Sequence, residues 1–363
     1  MKITTPHLGN SYIAMKVLFD GLKIPFIVPK ISSEKTLEVG AKYSPEEICL
    51  PYKIMLGNLI NSIEAGADTI LITGSCGPCR YGEYCELFIN TFKNMNYDVD
   101  IIVLDRIEGI GKEQLLSRID KISKASNLAK VKKMRAIYNS YKVIKLIDNI
   151  EARCRYLAGF EINKGQCRKL LENCKKEIVR NDNPQEVISI LNYNKKLLNK
   201  IAVNMDKKPI KIAIIGEIYT ILEPFANLYI EDKLMDLGVS VTKAITPSWW
   251  MKNTILEPLG FNSPKIKKAS KEYLSWYIGG HGRECIGEAV IASKENYDGA
   301  IQILPLGCMP EIVAKSILPQ ISKEKDFPVM SLVVDEMTGK GGFYTRIEAF
   351  VDLLERRKQL CIM

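Results

Sequence analysis

The sequence predicts an α/β protein with two Rossmann-like parallel-sheet lobes and a helical insertion between them. Short apolar runs alternate with helical patterns over the first hundred residues, and the alternation returns after residue 210. Strands that alternate with helices in this way form parallel sheets built from βαβ units. The region between them shows helical patterns only. We therefore expect three segments: residues 1–106, 107–208 and 209–363.

The elements of the first lobe are β-rich runs separated by helical patterns. The runs are short and apolar, and read "KITTPHL", "IPFIVP", "TILITG" and "VDIIVLD". Two helical patterns lie between them, "YIAMKVLFDGL" and "YKIMLGNLINSIEAG". Gly21 and Gly66 stand near the ends of these patterns, where glycine often terminates a helix.

The middle segment has apolar residues at steps of three and four, which predicts amphipathic helices. One such row is Val131, Met134, Ile137, Tyr138, Tyr141 and Ile144. The second lobe returns to β-rich runs, which read "IKIAIIGE", "SVTKAIT", "GAIQILPLG" and "FPVMSLVVD". It ends in one more helical pattern, "RIEAFVDLLERRKQL".

The composition indicates an ordinary globular chain. Of the 363 residues, 47% are hydrophobic and 26% are charged, as in typical soluble domains. No uncharged apolar run reaches the length of about 18 residues that a transmembrane helix needs. The first residues also lack the apolar core of a signal peptide. We therefore expect a cytoplasmic protein without membrane contact.

The positive charge is concentrated in the middle of the chain. The net charge is +9, and residues 111–210 carry 23 Lys/Arg against 10 Asp/Glu. A basic segment can bind nucleic acid, but no aromatic interleaving or nucleic-acid motif accompanies it, so we expect none. A solvated, lysine-rich helical surface is the simpler interpretation. Attraction of a phosphate-bearing substrate such as a CoA ester, or of an acidic partner, stays open.

The chain is rich in cysteine and poor in histidine, with 10 of the first and 2 of the second. Cysteines of a cytoplasmic protein usually serve purposes other than disulfides. Because His7 and His281 are the only histidines, any metal or redox chemistry must rely mainly on sulfur and carboxylates.

Three cysteines share one predicted setting, the start of a helix. Cys49 precedes Pro51 and a helical pattern, Cys308 follows a strand and precedes Pro310, and Cys79 lies between a strand and a helix. Proline is favoured in the first helical turn, and a helix N-terminus stabilises a thiolate. Ligands of parallel sheets bind beyond the carboxyl ends of the strands. Three thiolates so placed can hold a cationic metal centre.

Cys76 and Cys79 also form the tetrapeptide Cys-Gly-Pro-Cys, which is typical of thioredoxin-like dithiol proteins. However, Ser75 precedes the motif where those proteins have an aromatic residue, and Cys49 and Cys85 are thiols that such a fold does not need. Structural zinc is a second alternative, although closed zinc sites usually come as two close-spaced ligand pairs. Both alternatives rank below the metal centre.

The remaining cysteines are interpreted as small, buried hydrophobic residues. They are Cys76, Cys85, Cys154, Cys167, Cys174, Cys285 and Cys361.

A set of short motifs spans residues 4 to 357. They read "TPHLGNSYIA", "YSPEEICLPYKIMLGN", "GPCRYGEY", "EIYTILEPFAN", "IGGHG", "LPLGCMPE", "DEMTGKGG" and "TRIEAFVDLLERR". In these stretches the sequence resembles the superfamily of 2-hydroxyacyl-CoA dehydratases, benzoyl-CoA reductases and double-cubane-cluster proteins. It is most similar to the short proteins of that superfamily that are related to acyl-CoA dehydratase activases, or CoA protein activases.

This resemblance implies an iron–sulfur cluster between two Rossmann-like domains. The cysteines of the motifs "CLP", "GPCR" and "GCMPE" match the cluster ligands of the family. The resemblance therefore implies that Cys49, Cys79 and Cys308 are cluster ligands. Three protein ligands on a [4Fe–4S] cluster leave one iron open to a small ligand or substrate. Cys76 and Cys85 are additional thiols near Cys79, so a double-cubane [8Fe–9S] cluster is the alternative.

The resemblance also implies a partner and a reaction. In the superfamily, an ATP-dependent activator, itself an iron–sulfur protein, supplies single electrons at low potential, and dehydratases use them on a CoA ester. This sequence has no G-x-x-x-x-G-K-[ST] loop, so we do not expect it to hydrolyse ATP. We expect it to pass electrons to a small substrate by dehydratase-like or reductase-like chemistry. The alternative is a non-catalytic electron relay or scaffold. A homodimer is expected by analogy.

Two polar residues are candidates for acid–base catalysis. His281 lies in "IGGHG" among glycines, which allow close approach of backbone to a ligand; its alternative role is structural. Glu311 follows Pro310 in the first turn of a predicted helix. Its alternative role is stabilisation of the helix dipole.

Overall fold

The computed structural model describes residues 1–74, 79–105, 110–256 and 263–360. The chain forms two compact units. Unit 1 comprises Met1–Ile144 and Val179–Ser189, and unit 2 comprises Lys145–Ile178 and Ile190–Met363. The helical middle of the chain contributes to both units. The three-segment division drawn from the sequence stays a prediction.

Each unit contains one parallel sheet. In chain order the strands are β1 (Ile3–Thr4), β2 (Thr69–Thr73), β3 (Asp100–Leu104), β4 (Lys211–Gly216), β5 (Ser240–Lys243), β6 (Gly299–Pro305) and β7 (Val329–Val334). The strand order is β1-β2-β3 in unit 1 and β5-β4-β6-β7 in unit 2. All the pairings between these strands are parallel. The prediction of two parallel α/β lobes is confirmed.

The helices of the described residues outnumber the strands, and most of them are longer. In chain order they are α1 (Ser11–Leu22), α2 (Glu34–Tyr43), α3 (Leu50–Glu64), α4 (Tyr84–Asn94), α5 (Lys112–Lys124), α6 (Lys130–Ala158), α7 (Gln166–Val179), α8 (Pro184–Leu198), α9 (Ile218–Leu222), α10 (Ile230–Asp236), α11 (Pro247–Leu256), α12 (Pro264–Ser270), α13 (Gly282–Lys294), α14 (Met309–Glu324) and α15 (Lys340–Leu360). A 3₁₀ turn, Arg80–Glu83, precedes α4. Across these described ranges, none of the helices has both the length and the apolar character needed to cross a membrane.

Unit 1 corrects one predicted strand. The run "IPFIVP" forms only an isolated bridge between Phe26 and Ile3. Pro25 and Pro29 bracket this run, and proline cannot donate to a sheet ladder. The segment therefore lies beside β1 without extending the sheet.

Gly21 does not end α1, as the sequence suggested, because the helix continues to Leu22. A Cβ on Gly21 would lie 2.9 Å from the Cβ of Ala136 on α6. Close by, the Ser140 hydroxyl donates to the Ala14 carbonyl at 2.8 Å. Small residues on both helices thus allow α1 and α6 to approach closely. Gly66 does follow the end of α3, with a φ of 99°.

The packing of α1 also decides which face of α6 is buried. The predicted helix forms, but Val131, Met134, Ile137 and Tyr138 are exposed. Ile144 of the predicted row is buried, but the other buried residues on this stretch, Ala136, Asn139, Ser140 and Val143, do not belong to that row. Most of the apolar row seen in the sequence therefore lies outside the core-facing side of the helix.

In unit 2, α13 and α14 cover the sheet. A Cβ on Gly282 would lie 2.6 Å from the carbonyl oxygen of Pro310, so the N-terminal ends of the two helices touch backbone to backbone. Behind this contact lies an apolar core formed by Ala213, Ile215, Cys285, Ile286, Ala289, Val290, Ala300, Ala314, Leu318, Ile321 and Phe327. This core holds the start of α13 and the start of α14 side by side.

Candidate functional site

Cys49 is the residue from which α3 starts. Its backbone is extended (φ −65°, ψ 148°), and Pro51 lies in the first turn of the helix. The hydroxyl oxygen of Tyr84 lies 2.6 Å from the Cys49 sulfur. The helix N-terminus and a hydroxyl donor both favour a thiolate at this position.

Cys79 has the same relation to the 3₁₀ turn that leads into α4, with φ −76° and ψ 137°. The next residue, Arg80, donates from Nη1 to the carbonyl oxygen of Glu47 at 2.8 Å. This bond and the Tyr84–Cys49 contact tie the segment that carries Cys79 to the segment that carries Cys49. Unit 1 thus brings two of the predicted ligands to one end of its sheet.

An aromatic cluster holds the Tyr84 hydroxyl in place. The Tyr84 ring is 2% exposed. Its centroid lies 5.1 Å from that of Tyr52 and 6.2 Å from that of Phe88. The sequence reasoning missed Tyr84, although its spacing of four residues from Phe88 on α4 indicates a shared buried face.

Cys308 is the corresponding residue of unit 2, at the start of α14. Gly307, with a φ of 74°, turns the chain after β6. The Cys308 N–H then donates to the Pro305 carbonyl at 3.1 Å. All three predicted ligand cysteines therefore begin a helical segment, as the sequence indicated. Their role as ligands stays a prediction.

Glu311 lies in the first turn of α14 and is fully buried. Gln302 on β6 donates from Nε2 to its carboxylate at 2.9 Å, and the Ser331 hydroxyl on β7 donates to Gln302 Oε1 at 2.7 Å. Burial raises the pKa of Glu311 to about 7, although hydrogen bonds with Gln302 and Cys285 act in the opposite direction. This carboxyl group faces the sheet, where it can hold a proton but is screened from solvent.

His281 is the residue immediately before α13. Gly279 and Gly280, with φ values of 85° and 49°, bring the chain to it, and its ring lies 6.2 Å from that of Trp249. Because Gly282 packs on Pro310, His281 lies near the start of α14. Unit 2 thus groups His281, Cys308 and Glu311 at the adjoining ends of two helices.

The other described cysteines are buried, which confirms their interpretation as small hydrophobic residues. Burial raises the pKa of Cys85 to about 11 and that of Cys174 to about 12. A hydrogen bond with Cys154, followed by burial, raises the pKa of Cys167. Cys76 and Cys361 lie outside the described residues. Within the part of the chain that is described, no three His, Cys, Asp or Glu are arranged to hold a metal ion.

The structure adds two acidic residues that sequence reasoning missed. Glu284 and Glu288 lie one turn apart on α13, and both are buried. In the sequence they look like ordinary surface charges of an amphipathic helix. Only the packing of α13 on α14 shows that they face the interior.

These features define an α/β protein with two parallel sheets and with cysteines at the starts of helical segments. A family model described as "CoA enzyme activase uncharacterised domain" matches residues 7–245. The chain belongs to this family. The matched range includes Cys49 and Cys79 and ends before His281, Cys308 and Glu311. None of the curated proteins matches the sequence. The relation to CoA enzyme activases is thereby confirmed, and membership of the wider dehydratase superfamily stays a prediction.

Proposed function

We propose that this chain is an iron–sulfur component of a CoA-ester enzyme system. It accepts low-potential electrons from an ATP-dependent activator protein and passes them to a small substrate. The observation that supports this most is the shared setting of Cys49, Cys79 and Cys308, each of which begins a helical segment. Membership of the CoA enzyme activase family supports the link to CoA chemistry.

The donor set suits a cluster. Thiolates are the usual ligands of iron–sulfur clusters, and the start of a helix offsets their negative charge. We propose a [4Fe–4S] cluster on Cys49, Cys79 and Cys308, which would supply one-electron chemistry when bound. The chain's own contribution is to hold these sulfurs at helix starts and to present the Tyr84 hydroxyl to Cys49.

The direct test is the iron and acid-labile sulfide content after anaerobic purification. We expect the content of one [4Fe–4S] cluster per chain in the wild type and a large loss in Cys79→Ser. Cys174→Ser is the control, because Cys174 is buried on α7 and is not a proposed ligand of either type of cluster. A wild type that holds zinc, or no metal after reconstitution, would refute the proposal.

Cys76→Ser decides the type of cluster. A double-cubane cluster needs more thiolates than three, so iron and sulfide would start near twice the single-cluster content and fall in this variant. A single cluster on the three proposed cysteines predicts no change. Product formation from a 2-hydroxyacyl-CoA with the activator present then separates an enzyme from an electron relay or scaffold.

The family description favours a second candidate, in which the chain belongs to the activating component itself. ATP hydrolysis by the purified chain would support this role. Electron acceptance from a separate ATPase, without hydrolysis by this chain, would exclude it.

A further inference from the structure

Three glutamates converge inside unit 2. Glu284 and Glu288 are one turn apart on α13, and Glu311 lies in the first turn of α14. Their exposed fractions are 8%, 5% and 0%. The two helices touch where Gly282 meets Pro310. Three carboxyl groups thus lie in the interior of one unit, away from solvent.

Few hydrogen bonds or cations are available to stabilise negative charge on these three carboxyl groups. Among the described residues, neither oxygen of Glu288 has a hydrogen-bond partner, and Oε2 of Glu284 has none. Arg283 is the cation beside the group, with Nη2 3.4 Å from Glu284 Oε1. Glu311 accepts from neutral Gln302. If all three carboxyl groups were ionised, Glu288 would be a buried charge without a partner.

Among the described residues, the neighbouring helix α12 brings no cation within hydrogen-bond distance of Glu288. Helix α12 packs against α13, where a Cβ on Gly287 would lie 2.6 Å from the Ile266 carbonyl oxygen. Its lysines, Lys265, Lys267 and Lys268, make no hydrogen bond to Glu288, since neither carboxyl oxygen has a partner. Burial, followed by the charges of Glu284 and Glu311, raises the pKa of Glu288 well above its ordinary value.

The charge of a buried carboxylate without a partner must be neutralised, either by a bound cation or by a proton. Hard cations such as Ca²⁺ and Mg²⁺ need about six or more oxygen ligands around one point. In the described part of unit 2, no three acidic side chains are arranged in that way. A proton needs only one carboxyl oxygen, so it is the ligand that fits.

We propose that Glu284, Glu288 and Glu311 form a buried proton-binding site, in which Glu288 keeps its proton at neutral pH. We call these three residues the carboxyl site. The reaction is reversible transfer of one proton between solvent and a Glu288 oxygen, with no change of oxidation state. Glu311 places the site at the helix that begins at Cys308. Use of the stored proton in the chemistry of a cluster at Cys308 rests on the proposed function.

The test uses the full chain and does not require a cluster. Infrared difference spectra at neutral pH, with ¹³C-labelled glutamate, report the C=O stretch of a protonated carboxylic acid, which shifts in D₂O. We expect this band in the wild type and a weaker band in Glu288→Gln, where Glu311, with a pKa of about 7, still holds part of a proton. Glu295→Gln is the control, because Glu295 follows the same helix but is exposed and paired with Lys265. This variant should keep the band.

Three outcomes would overturn the proposal. One is the lack of such a band in the wild type, and another is a band of unchanged intensity in Glu288→Gln. The third is stoichiometric binding of Mn²⁺ or Ca²⁺ that Glu288→Gln abolishes, which would make the site a cation site. Glutamine has the shape of a protonated glutamate, so Glu288→Gln should fold, as circular dichroism will show. Iron content measured on the same samples keeps the two proposals apart, because the band persists even if the chain holds no iron.

Discussion

The hydroxyl oxygen of Tyr84 lies 2.6 Å from the sulfur of Cys49, and the ring that carries it is buried among aromatic neighbours. When Cys49 is a thiolate, the hydroxyl must be the donor, because a thiolate has no proton to give. Hydrogen bonds to sulfur stabilise the reduced, more negative state of an iron–sulfur cluster. This single contact therefore links the fold of unit 1 to the chemistry proposed for Cys49.

We expect Tyr84→Phe to keep the fold and to shift the midpoint potential of the reconstituted cluster to a more negative value, because it removes one donor to sulfur. In the cluster-free chain, Cys49 should react more slowly with iodoacetamide, because the reactive thiolate loses a hydrogen bond. Tyr52→Phe is the matched control, since the Tyr52 hydroxyl bonds to Thr91 at 3.3 Å instead. Equal alkylation rates in both variants would show that the Tyr84 contact has no influence on Cys49.

A second prediction concerns the crossing of α2 and α3, which places the helix that starts at Cys49. A Cβ on Gly57 would lie 1.9 Å from the Thr36 carbonyl oxygen. Gly57→Ala must push the helices apart and should cost about 1–3 kcal/mol or more in urea unfolding. Gly342→Ala on α15, where nothing lies within 4 Å, should instead gain about 0.5–1 kcal/mol. Equal effects of the two changes would contradict this close packing.

A third prediction concerns a buried ion network in unit 2. Arg155 on α6 lies 3.2 Å from Glu151 and 3.3 Å from Glu231, which also pair with Lys175 and Lys243. Although burial opposes ionisation, the charges of Lys175, Arg155 and Lys243 keep the pKa of Glu151 below its ordinary value. Removing one partner leaves buried charge uncompensated. The network thus ties α6 to α7, α10 and β5.

Arg155→Met should therefore destabilise the protein by about 3 kcal/mol in urea unfolding. Adding Glu231→Gln should recover part of the loss, which a double-mutant cycle will measure. The control is Arg135→Met, because Arg135 is exposed on the same helix and should change stability by less than about 0.5 kcal/mol. If Arg155→Met destabilised the protein as little as the control does, Lys175 and Lys243 alone would be enough to neutralise Glu151 and Glu231.

Much of the fold could be predicted from sequence, because parallel strands are short apolar runs bounded by turn-forming residues. The run "TILITG" became β2, and "GAIQILPLG" contains β6. Helix α2 was missed, since its apolar pattern is weak. Its signal was local: Ser33 and Thr36 form a capping box at its start. The exposed row on α6 could not be foreseen, because α1 selects a face with small residues such as Ala136.

In the candidate site, too, local features could be predicted from sequence and features that depend on helix packing could not. Helix starts at Cys49 and Cys308 could be predicted, because a proline two residues later is a local signal. The Tyr84 contact with Cys49 and the burial of Glu288 depend on which helices pack together. No local pattern distinguishes a glutamate that faces another helix from one that faces water.

The last prediction is the pH dependence that Glu311 gives to stability. Its pKa in the folded protein is about 7, above the ordinary 4.5. Between these values the folded state holds a proton that the unfolded state releases, so the free energy of unfolding falls as pH rises. The stabilising contribution of this proton is fully present below about pH 4.5 and is lost above about pH 7. It amounts to roughly 3 kcal/mol of unfolding free energy.

Glu311→Gln carries no such proton, and its amide oxygen can still accept from Gln302. The variant should therefore gain stability relative to the wild type as pH rises through this window, and the difference should be constant above it. Urea unfolding across the window measures this difference, with Glu355→Gln, an exposed position on α15, as the control that should follow the wild type. A difference that does not change with pH would mean that Glu311 has the same pKa in the folded and unfolded chains. In that case the carboxyl is open to water or paired with a cation, and its burial against Gln302 does not control its proton.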